Sequence, residues 1–254
     1  MRRSKVLAKW REGKFARFCA MGHVMPFYVK HAAHRGYDGL WLDLEHRAMN
    51  TREVQMIIAH CHLADIDCMV RPPTTERTRL YRYLEDGAAG FMVPFVSTPE
   101  IAEDIVRCTK FPPLGNRGLD GAGLDCNYMI DADENFTNDA NKETFIVAQI
   151  ETPEAVANAE AIAAVDGIDL LFVGPGDLGL RLGLEGKMSV DEAVDEVARA
   201  AKAQGKAWGR TAGTVEELEK YTGMGAQMIP WVGDFALAAR LEQGQKELDQ
   251  VLGE

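Results

Sequence analysis

Phe145-Ile-Val-Ala-Gln-Ile-Glu151-Thr-Pro153 and Leu170-Leu-Phe-Val-Gly-Pro-Gly-Asp177 are two short apolar runs, each closing on a carboxylate, with a helical pattern between them. Bounded by Gly and Pro, such runs read as two parallel buried strands joined by a crossover helix. Both carboxylates then fall at strand C-terminal ends, on one face of one sheet. That face is where α/β proteins place their chemistry, and two carboxylates beside open positions suit a hard divalent cation.

Working outward, the same rhythm recurs. Strands are expected at Phe15 to Met21, Gly39 to Asp43, Asp67 to Val70 (ended by Arg71-Pro-Pro73), Gly90 to Val93, Ala207 to Gly209 and Gln227 to Pro230. Between them lie helical stretches: Pro26 to Arg35, Thr51 to Leu63, Thr75 to Leu84, Thr152 to Ala163, a helix to Ala203, and a last one from Asp234 to about Leu252. Asn50 with Glu53, Ser97 with Glu100, Ser189 with Glu192 and Thr214 with Glu217 have capping-box spacing. About eight βα units in one direction favour a single (β/α)8 TIM barrel over residues 1–254. No G-x-G-x-x-G follows any strand, which argues against a dinucleotide fold. The rhythm breaks from about 112 to 142, a Gly-, Asp- and Asn-rich excursion with at most one helix around Asp125 to Asn138. Structureless connections beyond ~15 residues are uncommon unless functional or disordered, so this segment, carrying Arg117, reads as a cover for a site.

The formal net charge of −11 argues against nucleic acid or an anionic membrane surface as partner. No apolar run has signal-peptide or bilayer-spanning length, which gives a cytoplasmic expectation. The five cysteines show no C-x-x-C spacing and read as reduced core residues; a thiol nucleophile is the weaker reading.

Bringing the strand ends together gathers Asp43, Glu45 and His46, then Arg71, then Gln149 and Glu151, then Asp177. Each alone reads equally well as a cap or ion pair; several at one barrel mouth point to a site. An Arg beside a carboxylate pair suits a metal that, with it, holds an anionic substrate and stabilises an oxyanion. A Schiff base needs a lysine inside the barrel, whereas the lysines fall in helices or loops.

Asp43-Leu-Glu-His46, Val70-Arg71-Pro-Pro73, Leu84-Glu-Asp-Gly-Ala88 with Val93-Pro94, Pro112-Pro-Leu-Gly-Asn-Arg117-Gly, Gln149-Ile-Glu151-Thr and Gly174-Pro-Gly-Asp177-Leu, in that order, cover nearly the whole chain. The set resembles the HpcH/HpaI family of class II, pyruvate-dependent aldolases. That resemblance implies a barrel of the phosphoenolpyruvate/pyruvate-binding type. It also implies cleavage of a 4-hydroxy-2-oxo acid to pyruvate, or a related 2-oxo acid, and an aldehyde through a metal-stabilised enolate. Glu151 and Asp177 match the family's ligands for a divalent metal, Mg2+ or Mn2+ first, Co2+ or Zn2+ next. Arg71 matches the arginine on the pyruvyl oxygen, and His46 the acid/base on the aldol hydroxyl, with Asp43 in the same motif. Gln149, Gly176, Asp177 and Arg117 match groups around the substrate. The family assembles as hexamers whose sites a neighbouring chain completes. Two alternatives stay open: decarboxylation of an oxaloacetate-like acid on the same site, and a non-catalytic binder of metal and oxo acid.

The chain departs from the family pattern at two sets of site positions, and its middle excursion, Gly121 to Lys142, is acidic and unusual as well. Glu85, with Asp86 beside it, stands where an Asp commonly backs the histidine, so either is a candidate partner of His46. Arg210 and Thr211 replace apolar residues after the seventh strand; if they line the site, the aldehyde is more polar or anionic than usual.

Overall fold

The computed structural model describes residues 1–186 and 188–253. Its eight parallel strands close in sequence order: β1 (Ala16–Met21), β2 (Gly39–Asp43), β3 (Asp67–Arg71), β4 (Gly90–Val93), β5 (Phe145–Ile150), β6 (Leu170–Val173), β7 (Ala207–Arg210) and β8 (Met228–Gly233). β8 returns to β1 through Ala16↔Met228, completing the (β/α)8 barrel. The helices are α1 (Lys5–Arg11), α2 (Pro26–His34), α3 (Thr51–Leu63), α4 (Arg77–Glu85), α5 (Pro99–Thr109), α6 (Phe136–Glu143), α7 (Pro153–Ala157), α8 (Ala159–Ala164), α9 (Pro175–Glu185), α10 (Val190–Ala203), α11 (Val215–Gly223) and α12 (Ala236–Leu252). Among the described residues no helix is long and apolar enough to cross a membrane.

Alternation along each strand sorts side chains into two cores. Trp41, Met69, Phe145, Phe172 and Met228 point into the barrel, while Leu40, Leu42, Val70 and Leu171 pack outward against the helices. Fully burying a phenylalanine such as Phe18, Phe145 or Phe172 contributes about 1.5–3 kcal/mol. Two glycines make room for these rings. A Cβ on Gly39 would lie 2.3 Å from the Phe18 ring, and one on Gly90 2.5 Å from the Phe145 ring. At the strand-entry end α1 closes the barrel: Trp10 packs on Phe18 and Phe145, and buried Asp67 accepts hydrogen bonds from Ser4 Oγ (2.6 Å) and the Val6 N–H (2.9 Å).

The capping boxes at Asn50 and Ser189 form. At α5 the cap is Thr98, which stands directly before Pro99 and accepts from the Ile101 N–H. Ser97, one residue too early, instead hydrogen-bonds Thr152 Oγ1 at 2.9 Å. The helix expected after Thr152 is split at Asn158, whose amide donates to the Ser97 carbonyl. In the excursion, a 3-10 turn at Leu124–Cys126 and α6 replace the single helix around Asp125 to Asn138. Between them Asn127, Tyr128 and Met129 are all left-handed, φ 49°, 54° and 72°, so no helix continues there. α12 has no buried residue; Leu241 and Val251 are 76% and 83% exposed.

Candidate active site

The side chains of Asp43 on β2, Arg71 on β3 and Gln149 on β5 have the same inward parity as Trp41, Met69 and Val147 beneath them. Glu151 follows directly after β5. They form a polar layer above an aromatic floor, at the strand C-terminal ends.

Arg71 is the centre of that layer. Its Nε and Nη2 donate to the two Asp43 oxygens at 2.9 and 2.8 Å, and Nη1 lies 3.2 Å from Glu45 Oε2. The guanidinium sits 4.8 Å above the Trp41 ring. A bidentate fork over a ring leaves little rotational freedom, so the cation is fixed before any ligand arrives. Though burial opposes it, the hydrogen bonds and charge of Arg71 hold the Asp43 carboxyl below its usual range. Glu45 is shared: its Oε2 also lies 3.5 Å from His46 Nε2, on an exposed imidazole.

Glu151 is buried, accepts from Gln149 Nε2 at 2.6 Å and from the Phe95 N–H at 3.2 Å, and has its pKa pushed up to about 7. Burial is the main cause, with Glu45 and Asp177 adding negative charge against the relief from Arg71. Gly174 makes this position possible, since a Cβ there would lie 2.3 Å from Glu151 Oε1. Asp177, in the first turn of α9, is half-exposed and pairs with Arg181 at 2.7 Å.

Would a divalent cation fit? Gln149 Oε1 is buried and has no hydrogen-bond partner, and Glu151 is a buried carboxylate with Glu45 and Asp177 as further negative neighbours. Two carboxylates and an amide oxygen make an all-oxygen donor set. No cluster of three His, Cys, Asp or Glu suited to a metal occurs among the described residues, which leaves the rest of the shell to water and substrate, as Mg2+ and Mn2+ sites commonly do. The residues therefore fit such an ion.

Four expected residues do not face this mouth. Glu85 ends α4 just before Gly87-Ala88 enter β4, so it sits at the strand-entry end. Burial raises its pKa, and its charged neighbours are Arg117, Arg82 and Asp125. Arg117 is at that end too, buried, on Asp125 at 2.6 Å and the Phe111 ring at 4.5 Å. Neither can reach His46 or a substrate at this chain's own mouth. Arg210 shares the outward parity of Trp208. It donates to Tyr221 Oη at 2.6 Å and stacks on that ring at 4.1 Å. It faces the helix layer, which removes the basis for the anionic aldehyde inferred from it. Asp86 is taken by Gln55 Nε2 at 2.9 Å.

One further pair at the strand ends lies outside the motifs quoted from the sequence. His23, after β1, places Nδ1 2.8 Å from buried Asp234, after β8. Asp234 also accepts from the Gly22 and His23 N–H groups, so it ties two loops rather than starting α12. Both follow strand ends, the signal that found the other site residues.

A family model described as HpcH/HpaI aldolase/citrate lyase matches residues 22–240. A 4-hydroxy-2-oxovalerate aldolase from Novosphingobium aromaticivorans is 37% identical over 219 residues, covering 84% of this chain and 80% of that protein. A hydroxypyruvate/pyruvate aldolase from Delftia acidovorans is 33% identical over 82% of this chain and 78% of its own. The crystal structure of an HpcH/HpaI aldolase from Desulfitobacterium hafniense superposes with a TM-score of 0.87 at 33% identity, covering 95% of each chain. The match runs from the loop that holds His23 into α12 and takes in every strand-end residue described above, so the chain belongs to the HpcH/HpaI aldolase/citrate lyase family.

Proposed function

We propose that this protein is a metal-dependent carbon–carbon lyase that cleaves a 4-hydroxy-2-oxo acid to pyruvate, or a related 2-oxo acid, and an aldehyde. The observation that carries the reading is Arg71, locked by Asp43 and Glu45 beside the buried Glu151 carboxylate at one mouth. Relatives named as aldolases of hydroxy-oxo acids support it.

Glu151 and Asp177, with Gln149 beside them, would hold the divalent ion, Mg2+ or Mn2+, which when bound supplies Lewis acidity toward the 2-oxo acid. N–H groups at Gly176 and Asp177, in the first turn of α9, meet the substrate carboxylate. His46 accepts the proton of the 4-hydroxyl group. As that oxygen becomes the aldehyde carbonyl, the C3–C4 bond breaks and its electron pair moves into the enolate of the 2-oxo acid. Arg71 stabilises the negative charge gathering on the C2 oxygen, where a fixed cation costs no reorganisation. Protonation of C3 completes the products.

The same reading extends to assembly and place. We infer a hexamer of this chain, supported by the unburied face of α12. In it Glu85, beside an open cavity of about 450 Å3, serves a neighbour's mouth. Five free thiols support a reducing cytoplasm.

Exchange of pyruvate C3 protons in deuterium oxide tests the core of the proposal. Exchange that needs added Mg2+ or Mn2+, stops on chelation and is lost in Glu151→Ala is expected. Its absence with every divalent ion tried would refute it.

A further inference from the structure

We infer that His23, oriented by Asp234 and flanked by Arg47, reads the far end of the aldehyde half of the substrate, favouring aldehydes that carry a hydroxyl or carboxylate beyond the carbonyl. This rests on the function proposed above and names the substrate class of the same site.

The groups around the mouth follow strand order. Glu151 and Asp177 follow β5 and β6, Arg71 ends β3, His46 follows β2, His23 follows β1 and Asp234 follows β8. A 2-oxo acid held between the β5–β6 carboxylates and Arg71 presents its reacting carbon toward His46. The rest of its chain then runs toward β1 and β8, and the side chains there decide what it carries.

Those side chains are built, not merely present. The two backbone N–H groups of Gly22 and His23 donate to Asp234 at 2.8 and 2.9 Å, which already ties the loops. The third contact, imidazole Nδ1 at 2.8 Å, is surplus to that tie and fixes a ring that is otherwise more than half exposed. With Nδ1–H given to Asp234, Nε2 faces outward with a lone pair for a hydroxyl donor. Phe235 packs edge-on against the ring at 5.3 Å. On the same phenylalanine lies the Arg47 guanidinium, at 5.1 Å. Arg47 Nη1 donates to the His46 carbonyl at 2.7 Å, so this cation is anchored to the loop of the catalytic histidine. It has no carboxylate partner among the described residues. Gly22 leaves the space, since a Cβ would lie 2.7 Å from Arg47 Cγ. The result is an oriented acceptor and an unneutralised cation side by side, one suited to a hydroxyl and the other to a carboxylate.

The test uses the full-length chain and aldol addition of pyruvate to acetaldehyde, glycolaldehyde and glyoxylate. In His23→Leu the glycolaldehyde-to-acetaldehyde ratio of kcat/KM is expected to fall about tenfold, and in Arg47→Leu the glyoxylate-to-acetaldehyde ratio by a similar factor. KM carries both losses. Asp234→Asn, which leaves the imidazole in place but loosens its orientation, should lower the glycolaldehyde ratio in the same direction. A uniform fall across the three aldehydes, or ratios equal to those of the wild type, overturns the inference. Pyruvate C3 exchange in the wild type separates the two levels. No exchange refutes the function and this inference with it, whereas exchange with unaltered ratios refutes this inference alone.

Discussion

Replacing Gly174 by Ala tests whether the position of Glu151 is what makes the site work. The backbone permits alanine, with φ −91°. The added Cβ would lie 2.3 Å from Glu151 Oε1 and 2.7 Å from its Cγ, where carbon and oxygen normally keep about 3.3 Å. The carboxylate must retreat by roughly 1 Å, and a displacement of that size costs on the order of 10²-fold in rate, or about 2.7 kcal/mol of barrier. Pyruvate C3 exchange at saturating Mn2+ reads the loss, and urea unfolding reports whether the barrel is intact. Gly183→Ala provides the comparison, because that glycine lies within α9, the helix that Gly174 precedes, with nothing within 4 Å of an added Cβ. Exchange in a folded Gly174→Ala variant within twofold of wild type would refute the claim that Glu151 must stand against Gly174.

Four further outcomes are expected. Arg71→Lys loses the two-point fork on Asp43, and pyruvate exchange should drop about 10²-fold; a drop under threefold would mean that charge alone suffices. Arg210→Leu should leave the order of preference among acidic and neutral aldehydes unaltered while costing about 1–2 kcal/mol in urea unfolding, since its partner is Tyr221 in the helix layer. Lys110 is buried and its ammonium drawn down from 10.5 to about 8, chiefly by burial. Below pH 8 the folded chain bears the full cost of that charge, and the cost disappears as pH climbs toward 10.5, so stability should rise across that window by up to about 3 kcal/mol relative to Lys110→Met. Parallel pH curves for the two proteins would exclude it. Leu241→Glu, on the unburied face of α12, should lower the mass seen in sedimentation equilibrium, and an unchanged mass would remove α12 from the assembly.

The barrel was legible because its signals are local. Gly39 to Asp43 and Gly90 to Val93 begin and end where glycine and the change from apolar to polar residues put them. Asp43, Arg71, Glu151 and Asp177 were legible by the same rule, charge at the end of a buried run. Arg210 obeys that rule too and still points away, because the last residue of a strand faces in or out according to parity. Counting back through Gly209 to outward Trp208 would have shown its side. Asp234 was read as a helix start since Asp suits that role locally. Its actual partners, Gly22 and His23, are more than two hundred residues away and meet it only where β8 closes on β1. The excursion defeated pattern reading for another reason: left-handed backbone is signalled mainly by Gly and Asn, and here Tyr128 and Met129 adopt it as well.

The glycines facing Phe18 and Phe145 set how this sequence can drift. Side-chain volume inside the barrel is held in common by neighbouring strands, so Gly39 cannot gain a methyl group unless Phe18 gives one up, whereas a Cβ on Gly90 would also meet the Phe145 backbone carbonyl, which no change of side chain moves. Substitutions at Gly39 and Phe18 should travel as a pair, with a single change costing about 1–3 kcal/mol through overpacking, while Gly90 stays glycine. Above that floor the rim residues His23 and Arg47 lie on loops and share no volume with the rings, so they can change one at a time. A lineage could therefore exchange its aldehyde by single steps at the rim while the interior stays fixed by its own arithmetic.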